Sequence, residues 1–286
     1  MHRRFGKDQG VVAFALAGGG SRAAVQVGML QALSDAGIRP DIVSGTSAGA
    51  VNAVWYGMYP DRLGQLQEIW GQLRTRDVFP GNQLRIAVNL LRDGYIHSSR
   101  AWQAFLQRQI GYASFEDTQI PVLVLAVRMS DGLRRVFDRG PLVPSVMAST
   151  AIPGVFPPFS IESELYVDGG VIECMPVPAV QERGADVVYA LDCSGYAPQV
   201  GSPPGSVVDR CGQIAAKAYA DAVCSAAMAC GLTVHLLRPD IPDVFDARDF
   251  RRTAELISIG YEYTKRYLAG AGTASASRRL WHARRA

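Results

Sequence analysis

The stretch DIVSGTSAG, residues 41–49, decides how this chain is read. Asp41-Ile42-Val43 supplies a short apolar strand, and Gly45-x-Ser47-x-Gly49 follows it. SAGAVNAVWYGMY (47–59) then continues as a small-residue helix. A serine between a strand and a helix occupies a strained turn that lifts its hydroxyl out of the sheet edge. Side chains two positions to either side would collide with neighbouring backbone, so glycine fills both. The helix that starts there aims its N-terminal N–H groups and the positive end of its dipole at the site. On this motif alone a second reading stays open, with Thr46 or Ser47 as an ordinary helix N-cap.

Strands and helices alternate on either side of it. VVAFALA (11–17) is a continuous apolar run of the kind buried on both faces of a sheet. SRAAVQVGMLQALSDAG follows at helical spacing and ends near Gly37. PVLVLAVRMSDGLRRVFD (121–138) reads as two strands around Asp131-Gly132, a hairpin signal. ELYVDGG (164–170) is a short strand running into a turn, and ADVVYALDC (185–193) and LTVHLLRP (232–239) are further strands. Val207, Cys211, Ile214, Ala218 and Ala222 share one helical stripe. Phe250, Ala254, Ile257, Tyr261, Thr264 and Leu268 mark a long amphipathic helix. This alternation predicts an α/β fold, a three-layer sandwich with a mostly parallel central sheet covered by helices on both faces.

With 286 residues, 48% of them apolar, the chain can bury one large α/β core or two small ones. The Pro/Gly/Ser-rich stretch 196–206 is short enough to be a surface loop, so no linker is evident. The predicted division is an N-terminal extension over 1–10, one domain over 11–268, and a flexible basic tail over 269–286 that opens with the low-complexity AGAGTASAS. A net charge of +3 gives no sign of a nucleic-acid surface. The five cysteines are odd in number and lack CxxC spacing, which points to reduced thiols, no metal site and a cytoplasmic setting. Basic MHRRFGK before VVAFALAG imitates a secretory signal. The apolar run is short and feeds into three glycines, so a strand entering a glycine turn explains it better. No stretch approaches the roughly 18 uncharged apolar residues that a membrane span needs.

A second motif, GGGSRAA (18–24), follows the first strand. Acyl transfer develops an oxyanion that needs preorganised backbone donors, and consecutive glycines let the chain approach a ligand closely. Gly18-x-Gly20-x-x-Ala23 also fits a dinucleotide fingerprint, but its acidic residue should close the second strand and Asp41 precedes it. A purely structural glycine turn is the third reading. A third motif, YVDGG (166–170), can present Asp168 into a cleft, although Asp-Gly-Gly is also a common turn.

The four histidines, His2, His97, His235 and His282, do not suit a Ser-His-Asp triad. His235 lies mid-strand in TVHLL, His97 precedes a helix start at Ser98-Ser99, and the other two lie near the chain ends. The order Ser47, Asp192, His235 would imitate an α/β-hydrolase, but its histidine should follow the last strand.

Glycine loop, Gly-x-Ser-x-Gly elbow and Asp-Gly-Gly, in that order, resemble the patatin-like phospholipase family. ALAGGGSRAAVQVGMLQALSDAGI looks like that family's opening strand, loop and first helix, and SGTSAGAVNA like its elbow. ASTAIPGVFPP (148–158) resembles the segment before its aspartate, YVDGGVIECMPV the aspartate segment, and SIGYEYTKRYL its last helix. The resemblance implies a serine hydrolase acting on lipid acyl esters through a Ser-Asp dyad and an acyl-enzyme, without histidine; separately, no Cys/His/Asp cluster has ligand spacing, so no metal or cofactor is expected. Ser47 would be the nucleophile and Asp168 the base. Gly18, Gly19 and Gly20 would form the oxyanion loop with Arg22 at its edge, and Gly45 and Gly49 would be the elbow glycines. Ala23 stands where the family usually has glycine, which leaves a non-enzymatic lipid-binding or regulatory protein on the same fold as the alternative. The implied partner is a phospholipid or other acyl lipid; lipid identity and oligomeric state stay open.

Between elbow and next strand, Trp70, Phe79, Trp102, Phe105 and Ile110, with Leu84, Val88 and Leu91 at helical spacing, suit either a lid or acyl-binding wall or ordinary core packing. In the tail, Arg278, Arg279, Arg284 and Arg285 around Leu280 and Trp281 suit either a solvated terminus or peripheral attachment to the anionic inner membrane face.

Overall fold

The structure, a computed structural model, describes residues 10–80, 92, 94–194, 204–242 and 247–283. In chain order its elements are β1 (Val12–Leu16), α1 (Ala24–Asp35), β2 (Ile42–Thr46), α2 (Ala48–Met58), α3 (Leu63–Gln72), α4 (Thr75–Val78), α5 (Arg100–Ile110), β3 (Val122–Arg128), β4 (Arg134–Phe137), α6 (Leu142–Ser149), β5 (Phe159–Ile161), β6 (Glu164–Asp168), α7 (Val177–Gln181), β7 (Val187–Leu191), α8 (Pro204–Ala229), β8 (Thr233–Leu237) and α9 (Thr253–Ala283).

The apolar run at 11–17 becomes the central strand. β1 pairs in parallel with β2 on one side and β7 on the other, and β2–β3 and β7–β8 are parallel too. The order is β5-β6-β3-β2-β1-β7-β8, with β4 paired to β3. The β3–β4, β3–β6 and β5–β6 pairs are antiparallel, so the predicted mostly parallel sheet carries a mixed region at one side. Right-handed connections from β1 to β2 to β3 put α1 and α2 on one face. Strand order reverses at β1, so α7 and α8 lie on the other face, where they pack together. That reversal places the switch point, where doubly wound sheets bind ligands, between the C-terminal ends of β1 and β7, where the glycine loop leaves β1.

Register sets the geometry of the site. Val124 and Leu125 pair with both β2 and β4, so those strands occupy opposite edges of β3. Ala126 and Val127 pair with both β4 and β6, so β6 shares the edge of β2. Thr46 is partnered by Leu125 and Asp168 by Ala126, and the two strands meet end to end. The residue that follows β2 is Ser47.

The two long helices bury different stripes from those their periodicity predicts. In α9 the buried positions are Thr253, Leu256, Gly260 and Thr264, while Ala254 is exposed and Tyr261 only half-buried. Glycine is the cause. A Cβ on Gly260 would stand 2.0 Å from the Val25 carbonyl oxygen, and one on Gly28 1.9 Å from that of Ile257. The α1 and α9 backbones therefore touch at these glycines, and the contact line is centred there and not on the aromatic side chains. In α8, Ala220, Cys224 and Ala227 are buried, whereas Val207 and Ile214 of the predicted stripe face outward, at 57% and 51% exposure. α9 continues through 269–277 to Ala283, so the backbone of the segment expected as a tail is helical there. Leu84, Val88 and Leu91 lie outside the described residues. The five cysteines are all unpaired thiols, and no helix among the described residues is long and apolar enough to cross a membrane.

Candidate active site

Ser47 stands between β2 and α2 with φ 55° and ψ −128°, a conformation costing a non-glycine residue about 1–3 kcal/mol. The surrounding fold enforces it. A Cβ on Gly45 would lie 2.4 Å from the Gly49 carbonyl oxygen, and one on Gly49 2.3 Å from that of Leu16. Both glycines are therefore required sterically, as the sequence motif predicts. Ser47 makes no N-cap side-chain hydrogen bond to its own helix, and the Thr46 hydroxyl donates to the Glu173 carbonyl at 2.9 Å, which together remove the helix-cap reading. Its backbone N–H donates to Ser149 Oγ at 2.9 Å.

The hydroxyl of Ser47 donates instead to Asp168 Oδ2 at 2.5 Å, and the Gly170 N–H donates to Asp168 Oδ1 at 2.7 Å. Asp168 is 5% exposed. Burial pushes its carboxyl up to about 6, against these two hydrogen bonds, which favour the ionised form. Such a carboxylate is mostly ionised at neutral pH yet far more basic than an ordinary aspartate.

Gly18, Gly19, Gly20 and Arg22 line the same cleft as Ser47 and Asp168. The loop is clamped at its first residue: the Gly18 N–H donates to the Cys174 carbonyl at 3.0 Å, and the Cys193 thiol donates to the Gly18 carbonyl at 3.1 Å. The N–H groups of Gly19 and Gly20 have no acceptor among the described residues. A buried amide network lies beneath. Trp70 Nε1 donates to Asn52 Oδ1 (2.8 Å), Asn52 Nδ2 to Gln26 Oε1 (3.0 Å), and Gln26 Nε2 to the Ala17 carbonyl (2.7 Å), directly before the loop. Ala23 has φ −63° and ψ −10°, helical values that any residue adopts, so the methyl group there strains nothing.

Other sequence readings do not assemble. Asp41 accepts from the Val12 N–H at 2.8 Å, at the start of β1 and away from the glycine loop that follows its end, so the dinucleotide arrangement is absent. Among the described residues no histidine reaches Ser47. His97 Nδ1 lies 2.8 Å from the Pro80 carbonyl. His235 stacks on Tyr189 at 4.6 Å and contacts the Tyr267 hydroxyl at 3.1 Å, and burial lowers its pKa. Asp192 is engaged by Ser194 at 2.9 Å and by Arg238 at 2.5 Å. Ser149, the Cys174–Cys193 clamp and the Gln26–Asn52 pair were not singled out from sequence. Their signals are a serine in ASTAIPG and two amide residues on otherwise apolar helices.

Two spaces meet at Ser47. One is an apolar cavity of about 750 Å³, including space open to solvent, between α2, α3 and α5. Trp70, Phe79, Trp102, Phe105 and Ile110, the residues singled out from sequence, all line it. The other is a wider cleft of about 1370 Å³ that holds the glycine loop, Asp168, Arg22 and Arg248. Among the described residues no His/Cys/Asp/Glu group is gathered as a metal ion would require.

The family model described as Patatin-like phospholipase matches residues 14–180, from β1 to α7. The chain is 28% identical to Lysophospholipase nte1 of Aspergillus terreus over 93% of its own length and 18% of that protein. It is 25% identical to Patatin-like phospholipase domain-containing protein 6 of Mus musculus, over 91% of this chain and 20% of that one. It thus spans about a fifth of the length of these relatives. An uncharacterized NTE family protein of Mycobacterium bovis is 29% identical over 64% of this chain and 49% of its own. Among solved structures, VipD from Legionella pneumophila aligns at a TM-score of 0.45 and 14% identity, over 92% of this chain and 67% of that one. Because the family model covers more than half of the chain and takes in the glycine loop, the elbow and the aspartate turn in order, this chain belongs to the patatin-like phospholipase family.

Proposed function

We propose that this protein is a serine hydrolase that cleaves acyl esters of lipids, of the phospholipase A or lysophospholipase type, by a Ser47–Asp168 dyad. The observation that carries the reading is the 2.5 Å hydrogen bond from Ser47 to a buried carboxylate, at the junction of an apolar cavity and a polar cleft. The acyl chain lies in the cavity and the head group in the cleft. The names of the fungal relatives, lysophospholipases, support this substrate class.

Ser47 Oγ attacks the ester carbonyl carbon as its proton passes to Asp168 Oδ2. The carbonyl oxygen takes the negative charge, stabilised by the N–H groups of Gly19 and Gly20, which have no acceptor among the described residues. Gly18 is not a donor here, since its N–H is held by Cys174. Collapse of the tetrahedral intermediate breaks the bond to the leaving oxygen, which receives the proton from Asp168. Water then attacks the acyl-enzyme, giving its proton to Asp168, and release of the fatty acid returns the proton to Ser47. An alkoxide is easier to expel than an amine, which suits a base as modest as this carboxylate and favours esters over peptides. The free thiols support a reducing, cytoplasmic setting for this chemistry.

The test is release of fatty acid from a lysophospholipid by the purified protein and its Ser47→Ala form. Turnover by the first and none by the second supports the reading. Lipid binding without turnover in either would make the chain a lipid-binding member of its family.

A further inference from the structure

The apolar cavity has a measurable depth. Along α2, Ala48, Val51 and Trp55 line it, and Tyr59, one turn further on, does not. Tyr59 instead backs Trp55 at a ring separation of 4.9 Å. Eight residues separate Ser47 from Trp55, so at the helical rise of 1.5 Å the lined length is about 12 Å. The opposite wall repeats the measure. On α5 the lining begins at Trp102 and ends at Ile110, again eight residues and about 12 Å. Trp102 is at the near end, because its Nε1–H donates at 2.9 Å to Thr150, the neighbour of the Ser149 that holds Ser47.

We propose that Trp55 sets the acyl-chain length this site accepts, stopping the cavity at the reach of a medium chain. An extended decanoyl group is about as long as the lined wall. This inference rests on the cavity being the acyl site of the hydrolase proposed above. The three tryptophans of the wall differ in how they are held. Trp70 and Trp102 are each fixed by a hydrogen bond from the indole nitrogen, whereas Trp55 Nε1 has no partner among the described residues. Packing alone keeps the Trp55 ring in place. A smaller side chain there lengthens the cavity without breaking a hydrogen bond.

The experiment measures kcat/KM on p-nitrophenyl esters from butanoyl to palmitoyl for wild type, Trp55→Leu and Val51→Phe. Val51 lies one turn closer to Ser47, so a larger side chain there shortens the cavity. Wild type is expected to peak near decanoyl. Trp55→Leu should raise the palmitoyl to decanoyl ratio at least roughly tenfold, and Val51→Phe should move the peak toward butanoyl. A wild-type peak at either end of the series, or a Trp55→Leu profile that overlays wild type, overturns the proposal. If Trp55→Leu does not fold, the milder Trp55→Phe takes its place: a raised palmitoyl to decanoyl ratio upholds the proposal and an unchanged profile overturns it. Cleavage of no ester at any length would instead sink the hydrolase reading itself.

Discussion

Ser47 and Asp168 lie 121 residues apart in the chain, yet their side chains are 2.5 Å apart, and β3 is what joins them. Thr46 pairs with Leu125, and Asp168 pairs with the next residue, Ala126, on the same edge. The dyad is thus held by backbone hydrogen bonds of the central sheet. Its geometry does not depend on a mobile loop.

The raised carboxyl of Asp168 predicts a pH profile. The base must be ionised, so kcat/KM on a soluble ester should rise with pH and reach half its plateau near 6. A half-point at or below 4 would show that burial does not tune this group.

The same shift predicts a conflict between stability and function. The folded pKa of about 6 lies above the 3.8 of an unperturbed aspartate. The stabilising contribution is therefore fully present below about 4 and lost as pH rises through about 6, by up to about 3 kcal/mol. Asp168→Asn stays neutral and escapes that loss. It should melt above wild type at pH 8, with a gap that narrows toward pH 4, while being inactive. Equal melting temperatures at pH 8 would contradict this.

Ser149 is predicted to hold the elbow. Ser149→Ala leaves the buried Ser47 N–H without an acceptor, a cost of about 1–3 kcal/mol. Turnover should fall roughly tenfold or more in a protein that circular dichroism shows folded, and Ser149→Thr should restore most of it. Wild-type turnover in Ser149→Ala would remove the residue from the account.

Much of this was legible in the sequence, because the elements rest on local signals. β1, β2 and the elbow appear where a buried apolar run meets glycine, and Asp131-Gly132 marks the β3–β4 hairpin, with Gly132 at φ 69°. The β5–β6 hairpin was missed because Glu162 and Ser163 adopt its positive φ values, 50° and 68°, in place of Asn-Gly. The buried stripe of α9 was misplaced because apolar periodicity cannot show that Gly28 and Gly260 bring two backbones together. In the site, the glycines, Ser47 and Asp168 carry motif-level signals. Ser149 and Cys193 act through contacts made only by the fold, and no spacing rule reports those.

The helix crossing yields a stability test. Gly260→Val drives a side chain into the Val25 carbonyl and should lower the melting temperature by about 10 °C, roughly 3–5 kcal/mol. Gly64→Ala, in α3 with nothing within 4 Å of the added methyl, should instead stabilise by about 0.5–1 kcal/mol. Similar melting temperatures for the two variants would show that α1 and α9 are not in backbone contact.

Histidine should be dispensable. His235→Phe keeps the ring contacts with Tyr189 and Tyr267 and loses only the hydrogen bond with the Tyr267 hydroxyl. Its kcat should stay within about twofold of wild type, since no hydrogen bond to the site is lost. A folded but inactive variant would restore a triad.

The central claim, that Asp168 alone activates Ser47, is tested most directly by the rate at which a fluorophosphonate labels the protein, with the modified residue identified by mass spectrometry. Wild type is predicted to be labelled on Ser47, and Asp168→Asn at least roughly 10³-fold more slowly, because the hydroxyl has lost its proton acceptor. Labelling of Asp168→Asn at the wild-type rate, or of a residue other than Ser47, would contradict it.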